Sequence, residues 1–435
     1  MRDFLPAEKA RRERLLAVIR SSFRQHGFDE IETPVVEDSE RLHAGLGGDN
    51  EKLAYAVMKR GLGPDDLTRA AASGDYLELA DLGLRFDLTV PLARFYASHR
   101  SELPSVFRSI QIGPAWRAER PQKGRFRQFV QCDIDVIGEP SQLAETELIT
   151  ATVATLDALG LSGCTVRVND RRILTSMLAA FGFAASDYDA VLITLDKLDK
   201  VGPDGVIREL GERATVPGAD TVFGDLAGYL AAIGALNDFL TRPRTLEFLS
   251  YGERAIRREL PEGADEDAVR DLATLGDAVE AAGIDRALLV FDPFLVRGMG
   301  YYTGTIFEIG HPDLPYSLAG GGRYDGMIGR FLGTEVPAVG FSLGFERLVD
   351  LIALEDATTA DAVALVYDAD VATAILASLK AELVASGARA RLERRTKNPK
   401  ALLDQLAVAG FTQFAFVTSS STVLADLELR PIGPQ

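Results

Sequence analysis

Five cationic side chains lie close together in residues 111–138, between two runs of apolar residues. The runs end near Trp116 and resume at Phe126, and Pro121 and Gly124 predict a turn between two antiparallel strands. The cations would lie near the open end of this hairpin; they are Arg117, Arg120, Lys123, Arg125 and Arg127. Guanidinium groups are planar donors that fit phosphate oxygens. The segment therefore indicates a site for a polyphosphate or a nucleic-acid end, with a solvated basic hairpin as the alternative.

The composition is that of a globular protein with several domains. The chain has 435 residues, and a prior of about 150 residues per domain predicts two to four units. Hydrophobic residues make up 47% and charged residues 26%, and no apolar run approaches the roughly 20 residues of a membrane span. The N-terminal residues are charged and lack the apolar core of a signal peptide. We therefore expect a cytoplasmic enzyme that does not enter a membrane.

Cysteine and histidine are too few and too scattered to predict a disulfide framework or a structural zinc site. The residues concerned are Cys132, Cys164, His26, His43, His99 and His311. No two of them have the spacing of a ligand pair on one short element. The sequence therefore predicts no metal that is held by the protein alone.

The charge of the chain is distributed unevenly. A net charge of −17 argues against general coating of nucleic acid, because such binding depends on neutralising phosphates. Residues 361–435 nevertheless sum to zero, and most of their cations fall between Arg389 and Lys400. Local basic sites on an acidic body indicate a selective, salt-sensitive contact with one nucleic acid.

The pattern of apolar residues changes several times along the chain. The first segment mixes helices and strands, with a short strand in residues 82–98 that runs into a helix after Pro91. The next segment is helical and acidic, the third returns to glycine-rich strands, and the last alternates strand and helix. This alternation predicts a compact α/β domain with a partly parallel sheet at the end. The predicted divisions are 1–183, 184–285 (a helical insertion), 286–354 and 361–435.

With these segments in order, the chain resembles a class II aminoacyl-tRNA synthetase, and specifically the histidyl-tRNA synthetase family. GFDEIETPVVE around Pro34 is similar to the first class motif, Arg117–Phe129 to the second, and PAVGFSLGFERLVDLI with Arg347 to the third. Residues 295–309 and 317–329 resemble the two histidine-specific motifs. The resemblance implies an α+β fold: an antiparallel-sheet catalytic domain with a helical insertion and a C-terminal α/β domain of the anticodon-binding type.

The resemblance also implies an activity. Members of this family activate L-histidine with ATP to histidyl-adenylate and transfer it to tRNA(His), and they use Mg²⁺ with the ATP. The Pro34 motif packs at a dimer interface in the class, which implies a homodimer. The anticodon would be held by the C-terminal domain, with Arg389–Lys400 as the expected surface.

Several site residues follow from the motif matches. Arg117 would hold the α-phosphate, Arg125 and Arg347 the distal phosphates, and Glu119 would lie near the adenine or a metal-bound water. Arg297 would reach the reacting carboxylate and the α-phosphate, which makes it, with Arg117, the expected catalytic cation. For Arg125, a structural ion pair is the alternative.

The histidine pocket is implied in the same way. Asp87 and Thr89 would bind the α-ammonium, and Gly320–Gly322 would let the backbone approach the ligand. The residues expected around the imidazole are Gln131, Asp135 and Tyr302, with Arg297, Tyr301 and Tyr324 close by. Core packing is the alternative for Tyr301 and Tyr324.

The hairpin would also face the tRNA acceptor end. By resemblance, Arg120 and Gln122 would contact the additional 5′ guanosine and the discriminator base. Two positions depart from the usual wording of the family, because Gly300 replaces an aspartate and Asp87 replaces a glutamate found in many members. After Leu427 the sequence finishes with RPIGPQ, without the closing helix of many members. This difference affects the expected anticodon recognition more than the expected activation.

Two other functions are compatible with this core. One is the non-catalytic paralogue that acts as a regulatory subunit of ATP phosphoribosyltransferase, which typically lacks the arginine of the histidine motif and the C-terminal domain. The other is an RNA-binding sensor module, which predicts loss of the ATP arginines. The chain retains Arg297, the hairpin arginines and an α/β tail.

Overall fold

The computed structural model describes residues 1–46, 53–121, 124–214, 226–242, 251–297, 301–314, 316–352 and 361–432. The chain forms two compact units. The first comprises Ala17–Ile352 together with Met1, and the second comprises Arg2–Leu16 and the C-terminal region. None of the helices in the described ranges is both long enough and apolar enough to cross a membrane.

The strands of the described residues fall into three sheets. An eight-stranded sheet has the order β1-β5-β6-β11-β10-β9-β7-β8, a three-stranded sheet β2-β4-β3, and a four-stranded sheet β13-β12-β14-β15. Their bounds are β1 Asp29–Glu30, β2 Val36–Asp38, β3 Tyr55–Met58, β4 Ala80–Leu84, β5 Phe107–Trp116, β6 Gln128–Ile137, β7 Thr165–Asp170, β8 Leu289–Phe291, β9 Thr305–Gly310, β10 Ala319–Arg323, β11 Ala338–Gly344, β12 Ala362–Tyr367, β13 Arg389–Arg394, β14 Gln413–Val417 and β15 Arg430–Pro431.

The helices surround these sheets or form the stretch between β7 and β8. Their bounds are α1 Pro6–Gln25, α2 Ser39–Leu46, α3 Pro64–Ser73, α4 Thr89–His99, α5 Leu143–Ala158, α6 Arg171–Phe181, α7 Tyr188–Leu195, α8 Leu198–Ala214, α9 Leu226–Thr241, α10 Glu253–Arg258, α11 Glu266–Ala281, α12 Asp325–Leu332, α13 Phe345–Leu351, α14 Thr373–Ala385 and α15 Pro399–Val408. The predicted helical stretch at 184–285 therefore contains α7 to α11.

The large sheet is antiparallel through its centre, where β5, β6, β11, β10 and β9 pair in succession. Only the outer pairs β1–β5 and β7–β8 are parallel. Along β6 the side chains alternate between two faces, as the strand period requires. Cys132, Ile134 and Val136 are completely buried in the core, whereas Gln131 and Asp135 point to the opposite face.

Glycines let β10 and β11 approach closely at the centre of the sheet. A Cβ on Gly321 would lie 2.0 Å from the carbonyl oxygen of Gly340, and a Cβ on Gly340 would lie 2.0 Å from Oδ1 of Asp135. No side chain fits at either position without moving backbone or a buried carboxylate. Glycine at these two positions therefore leaves the space that the backbone of β11 and the side chain of Asp135 occupy.

Helix α4 begins three residues earlier than the sequence indicated. We expected it to follow Pro91, but it starts at Thr89 and includes the proline. Proline is tolerated in the first turn because the backbone N–H it lacks has no intrahelical partner there. Asp87 supplies the missing acceptor for the turn, since its Oδ1 accepts the N–H of Val90 at 3.1 Å.

The second unit contains the predicted α/β fold. Strand β12 pairs in parallel with β13 and β14, and β14 pairs antiparallel with β15, so the sheet is partly parallel. One apolar cluster around Leu365 and Leu379 and another around Val366 and Phe414 cover the two faces of the sheet. The described chain ends on the short strand β15.

The buried ion pair between Arg323 and Glu145 joins β10 to α5. The guanidinium donates to both carboxylate oxygens at 2.7 Å, and the side chain of Glu145 is 0% exposed. Arg323 also donates to the carbonyl oxygens of Glu139 and Ser141. The pair therefore anchors the helix on the edge of the glycine-rich strand.

Removing the acid of this pair should destabilise the protein strongly. Glu145→Ala leaves a guanidinium buried without its carboxylate, and we expect the free energy of unfolding to fall by about 3–5 kcal/mol. Glu147→Ala is the matched control, because its pair with Arg108 is 27–28% exposed and should contribute about 0–1 kcal/mol. Denaturant unfolding measures both losses, and equal losses would contradict the assignment.

Candidate active site

A cavity of about 530 Å³ lies in the first unit, over the polar face of the large sheet. It contains every residue that the motifs assigned to ATP and histidine. They are Asp87, Thr89, Arg117, Glu119, Arg125, Gln131, Asp135, Arg297, Tyr301, Tyr302, Tyr324 and Arg347. Residues separated by more than 200 positions in sequence thus share one volume, because β5, β6, β9, β10 and β11 are adjacent in the sheet.

Arg117 lies between two aromatic rings at the end of the β5–β6 hairpin. Its guanidinium carbon is 4.3 Å from the centre of Phe86 and 5.1 Å from that of Phe129, and its Nε donates to the Phe86 carbonyl at 3.3 Å. Burial lowers the pKa of Arg117, and nearby Asp87 and Glu119 partly oppose this change. An arginine held in this way presents its remaining N–H groups with little freedom to reorient.

Three further cations converge on the other part of the cavity. Arg125 donates to Glu119 at 3.0 Å, and Arg347 donates to the Ser317 carbonyl while its guanidinium stands 5.0 Å from the centre of the Tyr316 ring. Burial lowers the pKa of Arg347, and the positive charges of Arg125 and Arg297 lower it further. Mutual repulsion among buried cations is relieved when a polyanion binds between them.

Arg297 is held against the wall of the cavity by Glu308. Its NH1 donates to Oε2 of Glu308 at 2.8 Å, and its Nε has no partner among the described residues. Burial lowers the pKa of Arg297, but Tyr302 and Glu308 outweigh it, so the net shift is upward. A Cβ on Gly320 would lie 2.4 Å from this guanidinium, so the glycine makes room for the arginine.

Two buried acceptors line the cavity without a partner in the described part of the chain. They are Oδ2 of Asp87 and Oε1 of Gln131. Burial raises the pKa of Asp87, and the hydrogen bond from Val90 lowers it in part. An unpaired buried acceptor is unfavourable until a donor arrives. Together these oxygens are suited to bind a group with several N–H donors, such as an α-ammonium.

Asp135 and three tyrosines form the remaining wall. The Tyr324 hydroxyl donates to Oδ1 of Asp135 at 2.6 Å, and the Tyr301 ring lies 4.7 Å from Tyr302 and 6.0 Å from Tyr324. Burial raises the pKa of Asp135 to about 7, although the hydrogen bond from Tyr324 lowers it. Tyr301 and Tyr324 are buried and also line the cavity, so packing and ligand contact are compatible for both.

The cavity also contains residues that sequence reasoning missed. Asp133 lies on the same face of β6 as Gln131 and Asp135, and this spacing of two residues was a signal in the sequence. Glu308 had a weaker signal, as an acid within an apolar strand. The segment Leu195–Lys200, at the junction of α7 and α8, lines the cavity from within the predicted insertion, and no local pattern indicated this contact.

Several predicted contacts lie elsewhere. Arg120 is exposed and is not among the residues that line the cavity, and Gln122 and Gly300 lie outside the described residues. In the second unit, the guanidinium groups of Arg389 and Arg391 stack on Phe411, at 4.4 and 4.8 Å from its centre. In the described ranges, no group of three or more His, Cys, Asp or Glu side chains is arranged to hold a metal ion.

Asp135→Asn should stabilise the unliganded protein more at high pH than at low pH. The folded-state pKa of about 7 exceeds the value of about 4 for an unfolded aspartate, so folding binds a proton between these values and wild-type stability falls as pH rises through them. We expect the advantage of the variant to grow by about 2 kcal/mol between pH 5 and pH 8. Denaturant unfolding at both pH values measures it.

The exposed Asp81→Asn variant is the control for this measurement. A gain for Asp135→Asn that is the same at both pH values would show that the buried carboxylate does not titrate in this range.

Comparisons with known proteins point to one family. A sequence model of the family described as Histidyl-tRNA synthetase matches residues 1–348. A protein named Histidine–tRNA ligase from Leifsonia xyli subsp. xyli is 60% identical over 99% of this chain and 97% of its own length. The solved histidyl-tRNA synthetase of Nostoc sp. PCC 7120 has a TM-score of 0.72 at 25% identity, covering 99% of this chain and 93% of that one.

A second solved structure with the same fold belongs to a protein that is described differently. It is described as an ATP phosphoribosyltransferase regulatory subunit/histidyl-tRNA synthetase from Bacillus halodurans, with a TM-score of 0.72 at 20% identity and coverage of 97% of both chains. This likeness shows the fold alone. The family and the fold class predicted from the motifs are confirmed by the model match, the full-length relative and the Nostoc structure: the chain belongs to the histidyl-tRNA synthetase family.

Proposed function

We propose that this cavity activates L-histidine with ATP and transfers the histidyl group to tRNA(His), which is the histidine–tRNA ligase activity named for the Leifsonia relative. One observation carries the assignment to this cavity. Buried acceptors without partners, on Asp87 and Gln131, lie in the same volume as the converging guanidinium groups of Arg117, Arg297 and Arg347. An amino acid and a nucleoside triphosphate therefore fit side by side.

In the first step, a carboxylate oxygen of histidine attacks the α-phosphorus of ATP. A bond from oxygen to phosphorus forms, the bond to the bridging oxygen breaks, and pyrophosphate leaves with the electron pair. Negative charge grows on the phosphate oxygens, and fixed donors stabilise it most when they need no reorganisation. We assign Arg117 and Arg297 to this charge, and Arg125 and Arg347 to the leaving pyrophosphate.

Histidine is recognised from the opposite wall. Asp87, Thr89 and the oxygen of Gln131 accept hydrogen bonds from the α-ammonium. Asp135, held by Tyr324, accepts a ring N–H of the imidazole, and we assign Tyr302, which also lines the cavity, to the same ring. Binding of the ring N–H favours the ionised carboxylate, which burial otherwise disfavours. The pocket thus selects a side chain with a donor in this position.

The residues of the cavity are compatible with Mg²⁺ that enters on the phosphates of ATP. Magnesium commonly binds through substrate phosphates and water rather than an all-protein cage. The Glu119 carboxylate lines the cavity beside Arg125 and is suited to a water-mediated contact. Such an ion supplies additional positive charge near the pyrophosphate.

In the second step, a ribose hydroxyl at the end of the tRNA attacks the carbonyl carbon of the adenylate, and AMP leaves. We assign the hydroxyl proton to a phosphate oxygen of the adenylate. The proton then leaves with AMP, and no side chain of the protein has to act as the base. Arg120 and Gln122, on the hairpin, would contact the acceptor end. Arg120 is exposed and therefore accessible to a large partner.

We further propose a homodimer in the cytoplasm. The segment around Pro34 is similar to the class motif that packs between subunits, and the reaction belongs to protein synthesis. Sedimentation velocity at micromolar concentration tests the assembly, and a monomer there would contradict it.

The regulatory paralogue is the less favoured function. The arginines assigned to the reaction line one cavity, and the relative that is 60% identical over 99% of this chain is named a ligase. Histidine-dependent exchange of labelled pyrophosphate into ATP separates the two functions. The label enters ATP only if the protein forms histidyl-adenylate and the step then runs in reverse. Exchange with histidine and with no other amino acid supports the ligase, whereas histidine binding without exchange supports the paralogue.

Arg297→Ala should lower the rate of this exchange by about 10²- to 10³-fold, because one donor to the transition state is lost. Histidine binding should stay within about tenfold of the wild type, because the ammonium and imidazole contacts remain. Exchange kinetics and calorimetric titration measure the two quantities. Arg108→Ala, which breaks an ion pair outside the cavity, is the control, and an unchanged rate for Arg297→Ala would remove this residue from the mechanism.

Arg120→Ala should separate the two steps. Pyrophosphate exchange should be unchanged, because the side chain does not line the cavity. Charging of tRNA(His) should fall by about 5- to 100-fold in kcat/KM, as expected for loss of one contact to a base. A transcript without the additional 5′ guanosine should lose this sensitivity. Equal losses in both steps would indicate a structural role instead.

A further inference from the structure

Gln131, Asp133 and Ser342 form a closed hydrogen-bonded group beneath the histidine side of the cavity. The amide nitrogen of Gln131 donates to Oδ2 of Asp133 at 3.2 Å and to Oγ of Ser342 at 3.0 Å. Residues Asp133 and Ser342 are directly opposite each other on the paired strands β6 and β11. The position of the amide is therefore set by two strands of the sheet and not by a loop.

The chemistry of this group determines which end of the amide faces the cavity. The amide nitrogen of Gln131 faces a carboxyl oxygen of Asp133 and the hydroxyl of Ser342, and that hydroxyl in turn donates to Asp133, so the NH₂ end of Gln131 lies on the side of two acceptors. The amide oxygen then points away from Asp133. It is buried and has no partner in the described part of the chain, and Gln131 lines the cavity.

Burial of Asp133 is unfavourable for the stability of the fold. This residue is only 4% exposed, burial and the charge of Asp135 raise its pKa well above the usual range, and a hydrogen bond from Ser342 lowers it in part. Two carboxylates two residues apart on one buried strand face are unfavourable in the unliganded protein. Groups kept in such positions are commonly functional.

We propose that Asp133 is a positioning residue for histidine recognition: it holds the Gln131 amide so that the amide oxygen accepts a hydrogen bond from the α-ammonium of the substrate. The inference rests on the proposed function of the cavity. Asp133 itself does not touch the substrate in this account. Asp133 affects histidine binding only through Gln131. Experiments can therefore distinguish this effect from a general contribution of Asp133 to packing or to charge.

Asp133→Asn tests the inference, because it retains the shape and replaces the carboxyl group that accepts the Gln131 amide with an amide that can present a donor there. The histidine KM in pyrophosphate exchange should rise by about tenfold, as expected for loss of one oriented, charge-assisted hydrogen bond. The ATP KM should not change, and kcat should stay within about threefold. A histidine KM within twofold of the wild type would overturn the proposal.

A double-mutant cycle with Gln131→Ala establishes the route. If Asp133 acts through Gln131, then adding Asp133→Asn to Gln131→Ala raises the histidine KM no further. If the two increases multiply, Asp133 acts directly or through the field of the pocket, and the proposal fails. Ser342→Ala removes the neutral acceptor of the amide and the hydrogen bond to Asp133 but leaves the Asp133 acceptor in place, so it should raise the histidine KM by only about two- to threefold.

Two inhibitors identify the group that is recognised. Histidinol retains the ammonium and lacks the carboxylate, whereas imidazolepropionate lacks the ammonium. Asp133→Asn should weaken inhibition by histidinol by about tenfold and leave inhibition by imidazolepropionate unchanged. Equal weakening of both would show that the change disturbs the whole pocket, and the proposal would then be wrong.

The controls separate this inference from the proposed function. Absence of histidine-dependent exchange in the wild type would contradict the function itself, before any variant is considered. If Asp133→Asn does not fold, as judged by its thermal midpoint, the smaller Asp133→Ser replaces it in the same cycle, with the same expected pattern.

Discussion

The central constraint on this structure is the burial of many charged groups in one cavity. The carboxyl groups of Asp87, Asp133 and Asp135 line the same volume as the guanidinium groups of Arg117, Arg297 and Arg347. Burial shifts the pKa of each of these acids upward, and burial together with repulsion from Arg125 and Arg297 shifts the pKa of Arg347 downward. Such an arrangement is unfavourable when empty and is relieved by ligands of complementary charge.

A rigid frame is needed to keep these groups in place. Long antiparallel ladders between β5, β6 and β11 supply it, because each side chain on one face is held by backbone pairing on both sides. The completely buried Ile134 and Val136, on the opposite face of β6, are the apolar counterpart of the acids. Hydrophobic burial on one face thus offsets charge burial on the other.

Sequence and structure agree most closely where the chemistry is local. The arginine hairpin and the order of the motifs could be predicted, because each is encoded in a short run of residues, and the residues that the motifs assigned to ATP and histidine line one cavity. The start of α4 was predicted wrongly, because proline was treated as a boundary although it is accommodated in a first turn. The contact of Leu195–Lys200 with the cavity depends on the placement of a whole helical segment, and a local pattern does not carry that information.

The close approach of β10 to β11 bears on how related chains should be compared. A Cβ at Gly321 would collide with the backbone of Gly340, whatever the chain does for the cell. Any descendant that keeps this sheet must keep a glycine there, even after its chemistry is lost. Gly321 is therefore a marker of the sheet itself, whereas Gly320, whose Cβ would meet the guanidinium of Arg297, is a marker of that arginine.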